Sequence, residues 1–459
     1  MYIKRLELQD YKCFGQASID FQLSEADSGN EQRSQFTLIV GNNKSGKSAI
    51  LKAVALGAIA PVLNGSGYRP FFLKRRSGGN QDRNTGQPYG TISSSFHLND
   101  QEKEIDTKVL KNYFERSGLN SMKLREPEFA RYLNSIQDLK LKIEFSKFQQ
   151  REIDHLQVVG DETFLFSIIE PDLRLQAIPI IIGTKREFEL GYADSMLFAD
   201  SSIYCFIAGY HPSRRIELVE WNEAAINRQR GVRYRRVAGL FEEQAALRPL
   251  TGWFETLSEQ RQQEVEHLLS SLLGDKPIRL TTAPHGDIYV DLGDGPLPFS
   301  VLSDGYRAFL AWTTDLIGQM CDVIPDTMAL TDMTGIVLID EIDAHLHPKW
   351  QRRVVQDVTR TFPNLQFIAT THSPLVAGTV HPENVLVTEL QDDGTATVRR
   401  GTEALIGRSA NEILLSSYFG LDSTRSGPVA EEITKLLHQA TDGDQDAALK
   451  AMRLLAGRE

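Results

Sequence analysis

The sequence predicts an α/β fold with a mixed-sheet core, helical insertions and a helical C-terminal tail, and three segments carry that prediction. Residues 36–40 form a short apolar run that stops at Gly41, ahead of an apolar-periodic helix from about residue 46 to 58. Residues 335–339 form a second apolar run, which delivers two adjacent carboxylates, Asp340 and Glu341. A third, residues 365–370, leads to His372. Apolar runs this short and this continuous read as strands buried on both faces, as in a sheet covered by helices.

The remaining elements fit around these three. Residues 2–8 alternate as a strand and pass through Tyr11-Lys12-Cys13-Phe14 into a polar loop. Residues 64–90 are rich in Gly, Asn, Gln, Pro and Arg and read as a long surface loop. Residues 91–98 and 139–148 alternate like strands, with charged, helical sequence between them. Residues 202–208 are another buried-strand candidate, ending in Gly209-Tyr210-His211-Pro212. Over residues 258–273, Val265, Leu268, Leu269 and Leu272 share one helical face without a sustained heptad, so no long coiled coil interrupts the chain. Beyond residue 400 the tail reads as helices, with apolar positions at Ile413, Leu414, Ile433, Leu436 and Leu437. These shifts divide the chain into 1–65, 66–275, 276–400 and 401–459.

Composition narrows the function classes. At 459 residues the chain exceeds one compact core. A hydrophobic fraction of 41% and a charged fraction of 24% are ordinary for a soluble globular protein. A net charge of −11 argues against a surface that binds nucleic acid everywhere, so any such contact needs a local basic patch. Cys13, Cys205 and Cys321 are scattered with no CxxC spacing, which reads as reduced, mostly buried thiols. Residues 1–10 carry charges unlike a signal peptide, and the longest apolar stretch, 177–182, is far short of the roughly 20 residues of a spanning helix. A cytoplasmic protein without a membrane segment is expected.

Gly41-Asn42-Asn43-Lys44-Ser45-Gly46-Lys47-Ser48 matches the phosphate-binding loop G-x-x-x-x-G-K-[ST] at every fixed position. Its glycines let successive amides, through Ala49, turn inward toward phosphate oxygens. The following helix adds its positive N-terminal end. In this pattern Lys47 neutralises the outer phosphates and the Ser48 hydroxyl ligates magnesium. Asp340, at the C-terminal end of its strand, is placed to hold the same ion, and Glu341 to polarise an attacking water. An acidic pair after a strand is otherwise an ordinary helix cap, and it is the phosphate loop elsewhere in the chain that favours the chemical reading. His372, one strand-helix unit further on, could reach the terminal phosphate. The expected ligands are ATP and Mg2+.

Leu302-Ser303-Asp304-Gly305-Tyr306 resembles the signature motif of ABC-type ATPases, with Tyr306 in place of the usual Gln. The order of phosphate loop, signature, acidic strand and histidine resembles that family throughout. The resemblance implies an ABC-type P-loop ATPase in which Ser303, Gly305 and Tyr306 cap the nucleotide held by a second copy, so that the protein works as a homodimer or a higher even-numbered oligomer. Within the family, Asp340-Glu341 through His345-Leu346-His347-Pro348 and Gly209-Tyr210-His211-Pro212-Ser213-Arg214 are most similar to the AAA ATPases of prokaryotic defence, including OLD-like proteins and the ATPases of Septu and PARIS-type systems. That likeness implies a regulatory ATPase for a separate nuclease or toxin effector. A RecF or SMC-like DNA clamp is the alternative that the same motifs allow.

Three departures from the family pattern stand out. His347 occupies a position where the D-loop usually has Asp. No Gln is assignable to a Q-loop, and the turn at residues 210–214 is the nearest match. After Glu389 the sequence reads as a hairpin and helices rather than a TOPRIM nuclease. Arg214, Arg215, Arg228, Arg230, Arg233, Arg235 and Arg236, with Tyr234 among them, form a basic segment. Two readings compete for it: a nucleic-acid or acidic-partner contact, or a solvated, salt-bridged face beside Glu217, Glu220 and Glu223. Lys74, Arg75 and Arg76 carry the same ambiguity. His345 and His347 have metal-like spacing without a third ligand, which favours an interface role.

Overall fold

A computed structural model describes residues 1–22, 35–59, 90–97, 138–147, 154–160, 165–167, 206–214, 232–242, 245–248, 253–274, 277–282, 288–421, 423–424, 427–441 and 443–455. β1 (Tyr2–Tyr11) and β2 (Phe14–Asp20) form a hairpin that turns at Lys12, where φ is 52°. β3 (Phe36–Gly41) then runs into α1 (Lys47–Ile59). β4 (Gly90–His97), β5 (Asp138–Lys147), β6 (Asp154–Gly160) and β7 (Leu165–Ser167) extend the hairpin into a six-stranded antiparallel sheet, order β2-β1-β4-β5-β6-β7.

The chain then turns to a second sheet. β8 (Ile207–Tyr210) is its edge, followed by α2 (Val232–Phe241) and α3 (Glu259–Leu272). β9 (Arg279–Thr282), β10 (Ile288–Asp291) and β11 (Pro296–Pro298) make a small antiparallel sheet that leads to α4 (Asp304–Cys321). β12 (Gly335–Ile339), α5 (Pro348–Gln351), α6 (Val354–Thr361), β13 (Leu365–Thr370), α7 (Pro374–Ala377), β14 (Val385–Leu390) and β15 (Ala396–Arg400) complete the core. The tail holds α8 (Ala410–Leu414), α9 (Pro428–Thr441) and α10 (Gln445–Leu455). The core sheet has order β15-β14-β3-β13-β12-β8 and is parallel except for β15.

Alternation within the core strands explains the layering. Leu38, Val40, Val337, Ile339, Phe367 and Ala369 face a helical layer built on α3, α4 and α6. Ile39, Ile336, Leu338 and Ile368 face α1, which separates this sheet from the antiparallel one. Each of those four isoleucine and leucine side chains is fully buried, worth roughly 1.5–3 kcal/mol apiece. α1 is buried on eleven of its thirteen residues, as a helix apolar all round must be. Gln366 fastens the two sheets: its side chain accepts from Ile3 N at 2.8 Å and donates to Ile3 O at 2.9 Å.

Most expected strands and helices are found within one or two residues where the chain is described, but the strand expected at 2–8 runs on to Tyr11, and Phe14–Asp20, expected to lead into a loop, pairs with it as a strand. The strand expected at 202–208 includes Gly209 and Tyr210, because these pair with Leu338 and Ile339; residues 202–205 lie outside the described residues. The helix beginning at Pro348 stops at Gln351 and resumes at Val354, with Arg353 turned out at φ −119°. The loop expected at 64–90 gives up Gly90 to β4, and its other residues, the charged stretch between β4 and β5, and Cys205 lie outside the described residues. Cys13 and Cys321 form no disulfide among the described residues and are only half-buried.

Candidate functional site

β3 ends at Gly41, where φ is 148° and an added Cβ would stand 2.2 Å from the backbone oxygen of Thr388 on β14. Only glycine fits that approach. Asn42, Asn43 and Lys44 are exposed, while Ser45 is buried and anchors the loop. Its hydroxyl lies 2.7 Å from Asn42 O and 2.5 Å from Thr388 Oγ1. Lys44 at φ 67° and Gly46 at φ 98° turn the backbone so that α1 opens on Lys47. Turns of this kind point consecutive N–H groups into one concavity.

Lys47 is buried, and its ammonium donates to Gly41 O at 2.8 Å and Asn42 O at 2.9 Å. Burial lowers its pKa, and Asp340 and Glu341 partly offset that effect. A desolvated ammonium folded onto neutral carbonyls has more to gain from anionic phosphate oxygens, so the cradle fits a triphosphate. Ser48 sits half-buried in the first turn of α1. Together with the Asp340 carboxylate it offers the hard oxygen donors that Mg2+ prefers.

The carboxylate end of β12 is organised by a threonine. Thr370, at the end of β13, donates from Oγ1 to Asp340 Oδ1 at 2.5 Å and accepts from Glu341 N at 2.7 Å. Asp340 is buried, and its own N–H donates to Tyr210 O at 2.9 Å. Glu341 stands at φ 49°, a left-handed conformation costing about 1–3 kcal/mol, and so leaves the direction Asp340 takes. Thr371 hydrogen-bonds the Asp343 carboxylate in the same way. The reading of the strand noted His372 and missed Thr370; the available signal was a hydroxyl pair ending an apolar strand, where each hydroxyl needs a partner. His372 is exposed, and burial, followed by the charge of Lys47, lowers its pKa, which favours neutral imidazole at pH 7.

The signature residues stand apart from this group. Ser303 and Asp304 are exposed at the start of α4, and the Ser303 hydroxyl makes no capping bond. Gly305 lies against the turn at 343–347, its Cβ position 3.0 Å from His345 O. The Tyr306 ring packs edge-on against Trp350, centroids 4.4 Å apart. His347 Nδ1 accepts from Lys349 N at 3.3 Å and caps α5. Among the described residues, no hydrogen bond or ion pair joins Ser303, Gly305 or Tyr306 to Gly41–Ala49, Asp340, Glu341 or His372. No group of three or more His, Cys, Asp or Glu side chains among the described residues could hold a metal, His345 and His347 included.

The basic segment needs correction. Arg214, Tyr234 and Arg236 are buried, so none of them presents a surface to nucleic acid. Arg236 lies over the Phe206 ring at 5.3 Å, and Arg214 turns inward beneath the carboxylate strand. Neither is it a solvated face at these positions. Arg215, Arg228 and Arg230, with Lys74, Arg75 and Arg76, lie outside the described residues.

Two family models match parts of the chain. The family described as "AAA domain" matches residues 5–189, and the family described as "AAA domain, putative AbiEii toxin, Type IV TA system" matches residues 198–378. The chain is 24% identical over 424 residues to "Septu protein PtuA" of Bacillus mycoides (strain KBAB4), covering 92% of this chain and 45% of that protein. It is 32% identical over 182 residues to "Retron Vc95 probable ATPase" of Vibrio cholerae serotype O1 biovar El Tor, covering 39% and 34%. To "Retron Ec83 probable ATPase" of Escherichia coli it is 24% identical over 409 residues, covering 83% and 70%. The chain thus spans less than half the length of the first two relatives. An SMC head bound to the C-winged helix domain of ScpA superposes with a TM-score of 0.47 at 16% identity, over 87% of this chain and 97% of that one. No helix among the described residues is long and apolar enough to cross a membrane.

Proposed function

We propose that this chain, an ABC-type AAA ATPase related to the ATPases of anti-phage defence systems, hydrolyses Mg·ATP in sites shared between two copies and thereby controls a separate nuclease or toxin effector. The observation that carries the shared site is the position of Ser303. Its hydroxyl is exposed, makes no capping bond and is bonded to nothing in the phosphate loop of its own chain. A helix N-terminus with a free hydroxyl suits an anionic oxygen that arrives from outside.

In this reading the amides of the loop from Gly41 to Ala49 cradle the phosphates, and Lys47 exchanges its carbonyl partners for the outer phosphate oxygens. Mg2+, held by the Ser48 hydroxyl and Asp340, supplies charge neutralisation there. Thr370 fixes Asp340 by its side chain and Glu341 by its backbone, which leaves the Glu341 carboxylate to orient a water and take its proton. His372, neutral and exposed, is placed to sense the terminal phosphate. Ser303 and Gly305 of the partner subunit close the site, so ATP favours the closed dimer and hydrolysis releases it. The defence role rests on the Septu and retron names of the relatives.

Mixing tests the shared site. Lys47→Ala and Ser303→Arg proteins should each keep about a hundredth of wild-type turnover or less, and an equal mixture should recover about a quarter, because half the dimers are mixed and each holds one intact site. No recovery from well-folded proteins would exclude shared sites. Protection from phage in cells carrying the chain with its neighbouring genes tests the effector role; protection unchanged by Glu341→Gln would contradict it.

A further inference from the structure

The strand end that carries Asp340 and Glu341 is tied from behind to the helix that starts at Ser303, and the tie is made of residues the phosphate chemistry does not use. Tyr210 ends β8 and accepts the Asp340 N–H on its carbonyl oxygen. Its hydroxyl donates to Asp315 Oδ2 on α4 at 3.0 Å, and its ring lies 5.6 Å from that of Trp312. After the turn at His211–Ser213 the backbone reverses at Arg214, where φ is 36°. The Arg214 side chain is 5% exposed. Its Nη2 donates to Glu341 O at 2.6 Å and to Asp340 O at 3.2 Å, while its guanidinium lies 5.9 Å from the Trp312 ring.

We infer that Arg214 is a positioning residue for hydrolysis, holding the Asp340–Glu341 backbone in register with the Ser303 helix through Trp312. The inference rests on the reading of Glu341 given above. A buried guanidinium without a carboxylate in direct contact costs several kcal/mol, and burial lowers the Arg214 pKa to about 10 even with Asp343, Asp340 and Glu341 nearby. A packing role alone would be met by an apolar side chain of similar length. What an apolar side chain cannot supply is the grip of Nη2 on two successive carbonyls, here those of the residue proposed to hold the metal and of the residue proposed to polarise the water, while Nε and Nη1 make no hydrogen bond among the described residues.

The lever is short and stiff. Trp312 lies nine residues beyond Ser303, about 14 Å along an unbroken helix. Any shift of α4 as Ser303 meets a phosphate moves Trp312 against the guanidinium and so bears on the backbone of Glu341, which is already held in a left-handed conformation. The Tyr210–Asp315 bond is a second tie between the same two elements. Asp315 also accepts from Arg248 N at 2.9 Å and from Gln319, so its carboxylate is fully engaged on the α4 side. Occupancy of one site is thereby read at the carboxylates of the other.

The test separates turnover from binding in Arg214→Met, Arg214→Lys, Tyr210→Phe and Glu341→Gln proteins. Arg214→Met should lower kcat ~30-fold, less than the 10²–10⁴-fold worth of a general base, with the Kd for a fluorescent ATP analogue in Mg2+ unchanged within about threefold. Arg214→Lys should recover only part of that loss, and Tyr210→Phe, which removes a single hydroxyl, should cost about threefold in kcat. Adding Arg214→Met to Glu341→Gln should change the residual turnover less than twofold, since Arg214 acts through Glu341. An equal factor in both backgrounds, or a Kd that rises as kcat falls, would overturn the inference. So would wild-type kcat in both Arg214→Lys and Tyr210→Phe, an outcome that does not depend on how well Arg214→Met folds. Wild-type turnover by Glu341→Gln would instead remove the reading of Glu341 on which the inference stands.

Discussion

Two helices in this protein begin at a candidate nucleotide contact, and they begin in opposite ways. α1 starts between two sheets, with Lys47 buried, Ser45 bonded across to Thr388, and Gly41 pressed against a neighbouring strand. α4 starts at the surface, with Ser303 and Asp304 exposed and the cap hydroxyl uncommitted. The first is a finished cradle whose lysine already has partners from its own loop. In the function proposed above, the second is half of a contact. On that proposal a chain that completes one end of its site and leaves the other open has a reason to associate, because another copy supplies the missing half to the finished cradle.

The largest expected effect strikes the finished end. Lys47→Ala should reduce turnover by about 10³-fold and weaken ATP binding as well, because the buried ammonium would hold the phosphate oxygens in the ground state and more strongly as charge develops in the transition state. Ser303→Arg should reduce turnover about 10²-fold while a lone subunit binds ATP within about threefold of wild type; equal loss of binding would erase the contrast between the two helices. Glycine substitutions should divide in the same direction. Gly41→Ala meets a backbone oxygen at 2.2 Å and should lose about 3 kcal/mol in urea denaturation, whereas Gly305→Ala meets His345 O only at 3.0 Å and should change stability by under about 1 kcal/mol.

A further effect, away from both helix starts, is one of pH. Burial raises the Asp315 carboxyl to about 6, from 3.8. A raised folded-state value means that this group stabilises the fold when protonated, fully below about pH 4, and that the contribution fades as pH climbs through about 6. Asp315→Asn should remove that dependence, so the variant gains about 2 kcal/mol relative to wild type between about pH 4.5 and pH 7. Parallel stability curves would show that the carboxyl does not titrate in this window.

Elements were legible where the information is local. Residues 36–40, 335–339 and 365–370 read as buried strands because each is apolar at every position, and the fold buries both faces of each. The tight strand-to-helix turn at 41–48 was legible because its pattern fixes residue types within eight positions, and Gly41, Lys44 and Gly46 take the positive φ values that such a turn needs. What could not be read was set by strand order. Thr370 reaches Asp340 because β13 lies beside β12, and Arg214 reaches Glu341 across 127 positions because β8 lies on the far side of β12. The basic segment misled for the same reason: charge along the chain suggested a surface, but the edge strand β8 delivers Arg214 into the interior.

Strand order also sets when the proposed nucleotide cradle is first braced. β3 carries the phosphate loop, yet its two neighbours are β13 and β14, and Ser45 waits for a hydroxyl 343 positions later. A ribosome adding roughly 5–20 residues per second needs about 20–70 s to cover that distance. Throughout that interval the nascent N-terminal segment has its glycines and its lysine but no sheet to brace them. On the function proposed above, competence for ATP therefore arrives late in synthesis, once β13 and β14 have joined β3.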